Sequence, residues 1–145
     1  MTMGEIAVRP AGIADAEAIS GLLGELEHPT SAGEVAERLP ALLAAGDEVL
    51  LAEQNGQIVG LLGLHVTSVL HRAAPLGRIT SLVVTSEARG RGVGRALVAA
   101  AEARMRARGC GYAEVTSHGR RAEAHAVYER LGYAKTHVRL WKTLD

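Results

Sequence analysis

Arg78-Ile79-Thr80-Ser81-Leu82-Val83-Val84-Thr85, followed by Arg89-Gly90-Arg91-Gly92-Val93-Gly94 and then Arg95 to Met105, is the stretch on which the fold turns. Ile79, Leu82, Val83 and Val84 read as a strand buried on both faces. Val93, Leu97, Ala100, Ala101 and Met105 fall on one face of a helix, with Arg95, Glu102 and Arg106 on the other. Between them stand glycines at alternate positions. Without Cβ atoms the backbone there can take unusual φ/ψ values and approach a ligand closely, while a helix start offers unpaired N–H groups at a positive dipole end. A pyrophosphate satisfies both, and Arg89, Arg91 and Arg95 add charge-assisted donors beside that backbone nest. The spacing is not that of the familiar phosphate loops. No Gly-Lys-Ser/Thr ending follows, which argues against a nucleoside-triphosphate loop, and G-x-G-x-G differs from the dinucleotide pattern G-x-G-x-x-G. An ordinary strand-to-helix turn is the plain alternative, and the arginines and the context favour binding.

Working outward, Glu5 to Ala11 alternates around Ile6 and Val8 as an opening strand ending at Pro10. Ala18, Leu22, Leu23 and Leu26 space a helix after Asp15 that His28-Pro29 ends. Ser31 with Glu34 forms a capping box for a second helix, whose apolar face is Val35, Leu39, Leu42 and Leu43 and which Pro40 should kink or shorten. Glu48 to Glu53 and Ile58 to Val69 make a hairpin about Asn55-Gly56. Beyond the glycine loop and its helix, closed by Gly109 and Gly111, come a strand over Tyr112 to Ser117, a helix over Ala122 to Leu131 ending at Gly132, and a last strand over Tyr133 to Leu144. This order implies one α/β (α+β) domain over residues 1–145, a mixed sheet with helices on both faces.

Composition narrows the function classes. At 145 residues the chain can bury a core of its own. Lys plus Arg and Asp plus Glu are equal at 16 each, so no net field draws it to nucleic acid or an anionic membrane, and any anion site is local. Stacking aromatics are scarce, which also argues against a nucleic-acid partner. The single cysteine, Cys110, excludes an internal disulfide framework and fits a cytoplasmic setting. Neither a signal-peptide pattern nor a membrane-length apolar run is present.

The run Leu82 to Gly94 resembles the signature of the GCN5-related N-acetyltransferases (GNAT), Arg/Gln-x-x-Gly-x-Gly/Ala. Ala124-His125-Ala126-Val127-Tyr128-Glu129-Arg130-Leu131-Gly132-Tyr133 is similar to that family's helix ending in Gly-aromatic. The resemblance implies a mixed, mostly antiparallel sheet and acetyl-CoA as co-substrate. It also implies that the strand ending near Val84 splays from the strand Tyr112 to Ser117 to admit the pantetheine arm. Leu82, Val83, Val84, Arg89, Gly90, Arg91, Gly92, Val93, Gly94 and Arg95 then become the cofactor-binding residues. Direct attack of an amine on the thioester is implied too, so Cys110 is not needed as a nucleophile and reads as a small buried thiol. The family often has Asn ahead of the position of Ala124, whereas Arg120 and Arg121 stand there.

Expulsion of a thiolate is helped by a proton donor, and the resemblance assigns that role to Tyr128. A phenol near pKa ~10 is protonated at neutral pH, although full transfer to a thiolate near ~8.5 is uphill by about 2 kcal/mol. The incoming amine must lose a proton, and His118 is the candidate base, with Glu114 as alternative. Where relatives carry an acid on the strand Arg78 to Thr85, this chain has Arg78, Thr80 and Ser81. His65, His71 and His125 lack carboxylates or cysteines at ligand spacing, so no catalytic metal is expected. A looser similarity to aminoalkylphosphonate N-acetyltransferases over Ile58 to Arg72 and Ala124 to Tyr133 suggests a small primary amine. His65, His71, Arg72 and Arg78 would suit an acidic one. The rival readings are a non-catalytic acyl-CoA-binding sensor and a structural protein whose loop is only a turn. A homodimer is expected through the edge of the strand Tyr133 to Leu144.

Overall fold

In a computed structural model that describes residues 4–116 and 122–144, the chain folds around one five-stranded sheet in the order β1-β2-β3-β4-β5. Strand β1 (Ala7–Pro10) leads through helices α1 (Ala16–Glu25) and α2 (Ala32–Ala44) to β2 (Glu48–Gln54) and β3 (Gln57–Thr67). Strand β4 (Leu76–Val84) enters α3 (Val93–Ala107), and β5 (Tyr112–Val115) precedes α4 (Ala122–Arg130). The first four strands pair antiparallel, whereas β5 lies parallel to β4 because α3 carries the chain back between them. The expected hairpin forms with a two-residue turn, Asn55 at φ 54° and Gly56 at φ 77°, as a primed turn demands.

Alternation along the strands sorts the core into two layers. Leu50, Ala52, Leu62, Leu64 and Ile79 pack against Val93, Leu97, Ala101 and Met105 of α3. Leu51, Leu61 and Val83 pack on the other face against Ile19 and Leu22 of α1 and Val35 and Leu39 of α2. Helices therefore cover both faces, as the sequence implies. Helix α3 lies close to the sheet because Gly60 has no side chain; a Cβ there would stand 2.8 Å from both Leu97 Cδ1 and Val93 Cγ1.

Some expectations are corrected. Pro40 does not shorten α2, which continues to Ala44; Pro40 is exposed, and buried Val35 and Leu39 hold the helix to the sheet. Leu42 and Leu43 are about two-fifths exposed, at 43% and 42%, and do not complete an apolar face. Helix α1 stops at Glu25, before His28, and Glu27 takes φ 67°. The last strand is absent: Tyr133 to Leu144 carries no strand, and Val138, Leu140 and Trp141 are exposed. The edge on which a dimer was expected is thus not formed by those residues. Among the described residues no helix is long and apolar enough to cross a membrane.

The pairing of β3 with β4 shifts between Gly63↔Ser81 and Leu64↔Ile79, leaving Thr80 as an extra residue on β4. Parallel pairing with β5 runs only from Leu76↔Tyr112 to Ile79↔Val115. Residues 80 to 84 consequently have no strand partner on the β5 side among the described residues.

Candidate functional site

The glycine loop is built as a nest at the head of α3. Gly90 and Gly92 take φ of 79° and 85°, values that L side chains adopt only at a cost, and open space surrounds both. Gly92 is the N-cap, no side chain caps the helix, and its first turn holds no acidic residue. The amides of Val93, Gly94 and Arg95 at this positive end therefore lack a capping side chain. Val93 is buried against Gly60, and Leu82 and Val84 face the α3 core. Val83 is buried on the opposite face. Arg89 and Arg95 are exposed beside the nest. Arg91 instead reaches back to Gln54 Oε1 at 3.4 Å, where Gln54 is buried and donates to the Gly4 carbonyl at 3.0 Å.

From this nest the unpaired edge of β4 leads into a cleft of about 1780 Å³ lined by Thr80, Ser81, Leu82, Tyr112, Tyr128 and Tyr133, among others. Tyr128 is 9% exposed, its ring edge-on to Tyr133 with centroids 6.1 Å apart. Tyr133 donates its hydroxyl to Glu102 Oε2 on α3 at 2.8 Å. Burial and then that carboxylate push the Tyr133 phenol well above its ordinary range, so it stays protonated as a clamp between α4 and α3. The backbone carbonyl of Tyr128 accepts from the amides of Leu131 and Tyr133, and Gly132 at φ 96° lets the chain reverse there. Gly132-Tyr133 thus fixes the end of α4 and with it the place of Tyr128.

A second cavity, of about 360 Å³, lies on the other face of the sheet beneath α1 and α2. Thr80 and Ser81, at the bulge, line both cavities. Gly63 keeps this floor open, since a Cβ there would stand 2.6 Å from Thr80 Oγ1. Neither the bulge nor this pocket follows from the residue pattern; the signal available was an isolated glycine inside an apolar strand.

The remaining candidates separate. His118 lies outside the described residues, as do Arg120 and Arg121. Glu114 on β5 sits 3.4 Å from Arg78 Nε in an ion pair, and Arg72 lies over the Tyr112 ring at 4.7 Å. His65 bonds through Nδ1 to Asp47 Oδ1 at 2.7 Å. The basic side chains expected to attract an acidic amine are therefore partnered at Arg72, Arg78 and His65. Cys110 is half-buried against the α3 core. Among the described residues no group of three or more His, Cys, Asp or Glu is placed to hold a metal ion.

This architecture recurs in known proteins. An acetyltransferase of Trypanosoma brucei superposes with a TM-score of 0.84 at 25% identity over 97% of this chain and 100% of that one. A transcriptional regulator from Bacillus halodurans gives the same TM-score, 0.84, at 25% identity over 97% and 100%. An aminoalkylphosphonate N-acetyltransferase of Salmonella typhimurium is 39% identical over 94 residues, 65% of this chain and 61%, under two thirds, of the relative. The family model of the GNAT acetyltransferases matches residues 18–133, which takes in both faces of the sheet, the glycine loop and Tyr133. The chain belongs to the acetyltransferase (GNAT) family.

Proposed function

We propose that the chain is an acetyl-CoA-dependent N-acetyltransferase that moves the acetyl group directly to a primary amine of a small molecule. The observation that carries this reading is the unpaired edge of β4, which runs from the uncapped start of α3 to the cleft holding Tyr128. A pyrophosphate fits the nest formed by Gly90 to Gly94, with Arg89 and Arg95 as charge partners. The extended pantetheine arm, an amide chain, fits the backbone groups of residues 82 to 84, which have no strand partner on the β5 side among the described residues, as an added strand would. When bound, acetyl-CoA supplies an acyl group activated as a thioester. In this reading Tyr128 donates its proton to the departing sulfur, which is supported by its burial at the cleft and by Gly132-Tyr133 holding the end of α4. The Salmonella relative acts, by its name, on aminoalkylphosphonates, which supports a small amine as acceptor.

Two measurements test this. Acetyl-CoA is expected to raise the melting temperature, as a ligand of the native state must. Free CoA thiol is expected to appear with at least one class among small amines, aminoalkylphosphonates, amino acids and peptides. Stabilisation without thiol release across that panel points instead to an acyl-CoA sensor. Absence of stabilisation overturns the cofactor assignment itself.

A further inference from the structure

Of the chain's 16 basic residues only two are lysines, Lys135 and Lys142, and both stand in the tail after Gly132. The distinction matters to an acyl donor. An arginine guanidinium stays protonated and offers no lone pair, whereas a lysine that loses a proton is a primary amine on a flexible four-carbon stem. Lys135 lines the cleft together with Tyr128 and with Thr80, Ser81 and Leu82 of β4; Lys142 does not. Both are exposed, and among the described residues neither ammonium bonds a carboxylate. The tail is anchored on either side of Lys135. Tyr133 bonds its amide to the Tyr128 carbonyl at 3.0 Å and its hydroxyl to Glu102 at 2.8 Å, and further on Arg139 donates to Thr116 Oγ1 at 3.3 Å. Lys135 follows Tyr133 by two residues, about 7 Å of chain at most, in a span that carries no strand.

We propose that Lys135 is a self-acetylation site, at which the chain transfers the acetyl group of bound acetyl-CoA to its own Lys135 Nζ. This rests on the acetyl-transfer reading and adds to it an acceptor carried by the protein. Water takes one proton from the Lys135 ammonium, and the nitrogen lone pair forms the N–C bond to the thioester carbonyl carbon. Tyr128 donates a proton to the sulfur, which leaves with the C–S electron pair, and the second proton shed by nitrogen restores Tyr128. Tethering sets the rate law. A side chain tied by a short span to the cleft wall acts as a free amine would at on the order of millimolar concentration. The step is therefore first order in protein, whereas Lys142, with no place in the cleft, is left to the slower direct reaction with acetyl-CoA in solution.

The test is incubation of the purified chain with acetyl-CoA alone, followed over time by intact mass and tryptic peptide mapping at several protein concentrations. Trypsin cuts after Arg130, Lys135 and Arg139, so an acetylated Lys135 yields one peptide over residues 131–139 in place of two. Wild type, Tyr128→Phe and Lys135→Arg are compared, and melting temperature with and without acetyl-CoA is measured for each. Lys135 is exposed, so its substitution leaves the core intact. In wild type, Lys135 is expected to gain the acetyl group at least about 10-fold faster than Lys142, at a per-chain rate independent of protein concentration. Tyr128→Phe should bring the Lys135 rate down toward that of Lys142, and Lys135→Arg should remove the early mass gain. Equal rates at the two lysines, a Lys135 rate unchanged in Tyr128→Phe, or a per-chain rate that climbs with protein concentration overturns the proposal, while thiol release with an added amine leaves acetyl transfer standing. Stabilisation by acetyl-CoA with neither Lys135 nor any added amine acetylated overturns the transfer reading and this proposal together.

Discussion

Gly92 concentrates the conformational demand of the site. At φ 85° with open space about a would-be Cβ, substitution by Ala meets no clash and costs only the left-handed backbone, about 1–2 kcal/mol. Gly92→Ala should therefore still fold, with a lower melting temperature and a loss of stabilisation by acetyl-CoA greater than that backbone cost. A variant stabilised as strongly as wild type would show that the nest does not bind the pyrophosphate. Tyr128→Phe removes only a hydroxyl from a buried ring and should lower kcat by about 10²-fold with acetyl-CoA binding kept. Asp15 behaves differently, as a structural carboxylate. The hydrogen bonds from Arg9 and then the Gly12 amide hold it down to about 2 from an ordinary 3.8. A depressed folded pKa means that this contribution is complete above about pH 4 and is lost as pH falls toward about 2. Melting temperature against pH should accordingly fall less steeply in that window for Asp15→Asn than for wild type.

Elements were legible where local chemistry and burial agreed. The capping box is formed in both directions, Glu34 N–H to Ser31 Oγ and Ser31 N–H to Glu34 Oε1, each at 3.1 Å. Ser31→Ala should cost about 1 kcal/mol, readable in denaturant unfolding. Asn55-Gly56 and Gly109 likewise stand where their φ values require them. Pro40 does not shorten α2 because local propensity loses to the burial of its neighbours, and Tyr133 to Leu144, despite its alternation, carries no strand, with Val138, Leu140 and Trp141 exposed. Gly60 is a case that pattern alone leaves open. Gly60→Ala should cost about 1–3 kcal/mol through overpacking against Leu97 and Val93, with the change read from melting temperature.

At the scale of the molecule, the site is a consequence of one strand serving two neighbours unequally. Strand β4 is bound along its length to β3 but to β5 only as far as Ile79, so among the described residues its remaining edge has no strand partner beside the helix start. The glycine loop at the head of α3 was readable because glycines, arginines and a strand-helix junction all lie within one short run of sequence. The pocket beneath α1 and α2 was not, because Asp47, Gly63 and Thr80 come together only through the register of the strands and the bulge. Long-range geometry of this kind leaves no spacing in the chain. The most direct test of acetyl transfer is to follow, in one reaction, free CoA thiol and the mass of the amine. The account predicts an N-acetylated amine formed one-for-one with thiol and suppressed in Tyr128→Phe; thiol released with the amine unchanged would contradict it.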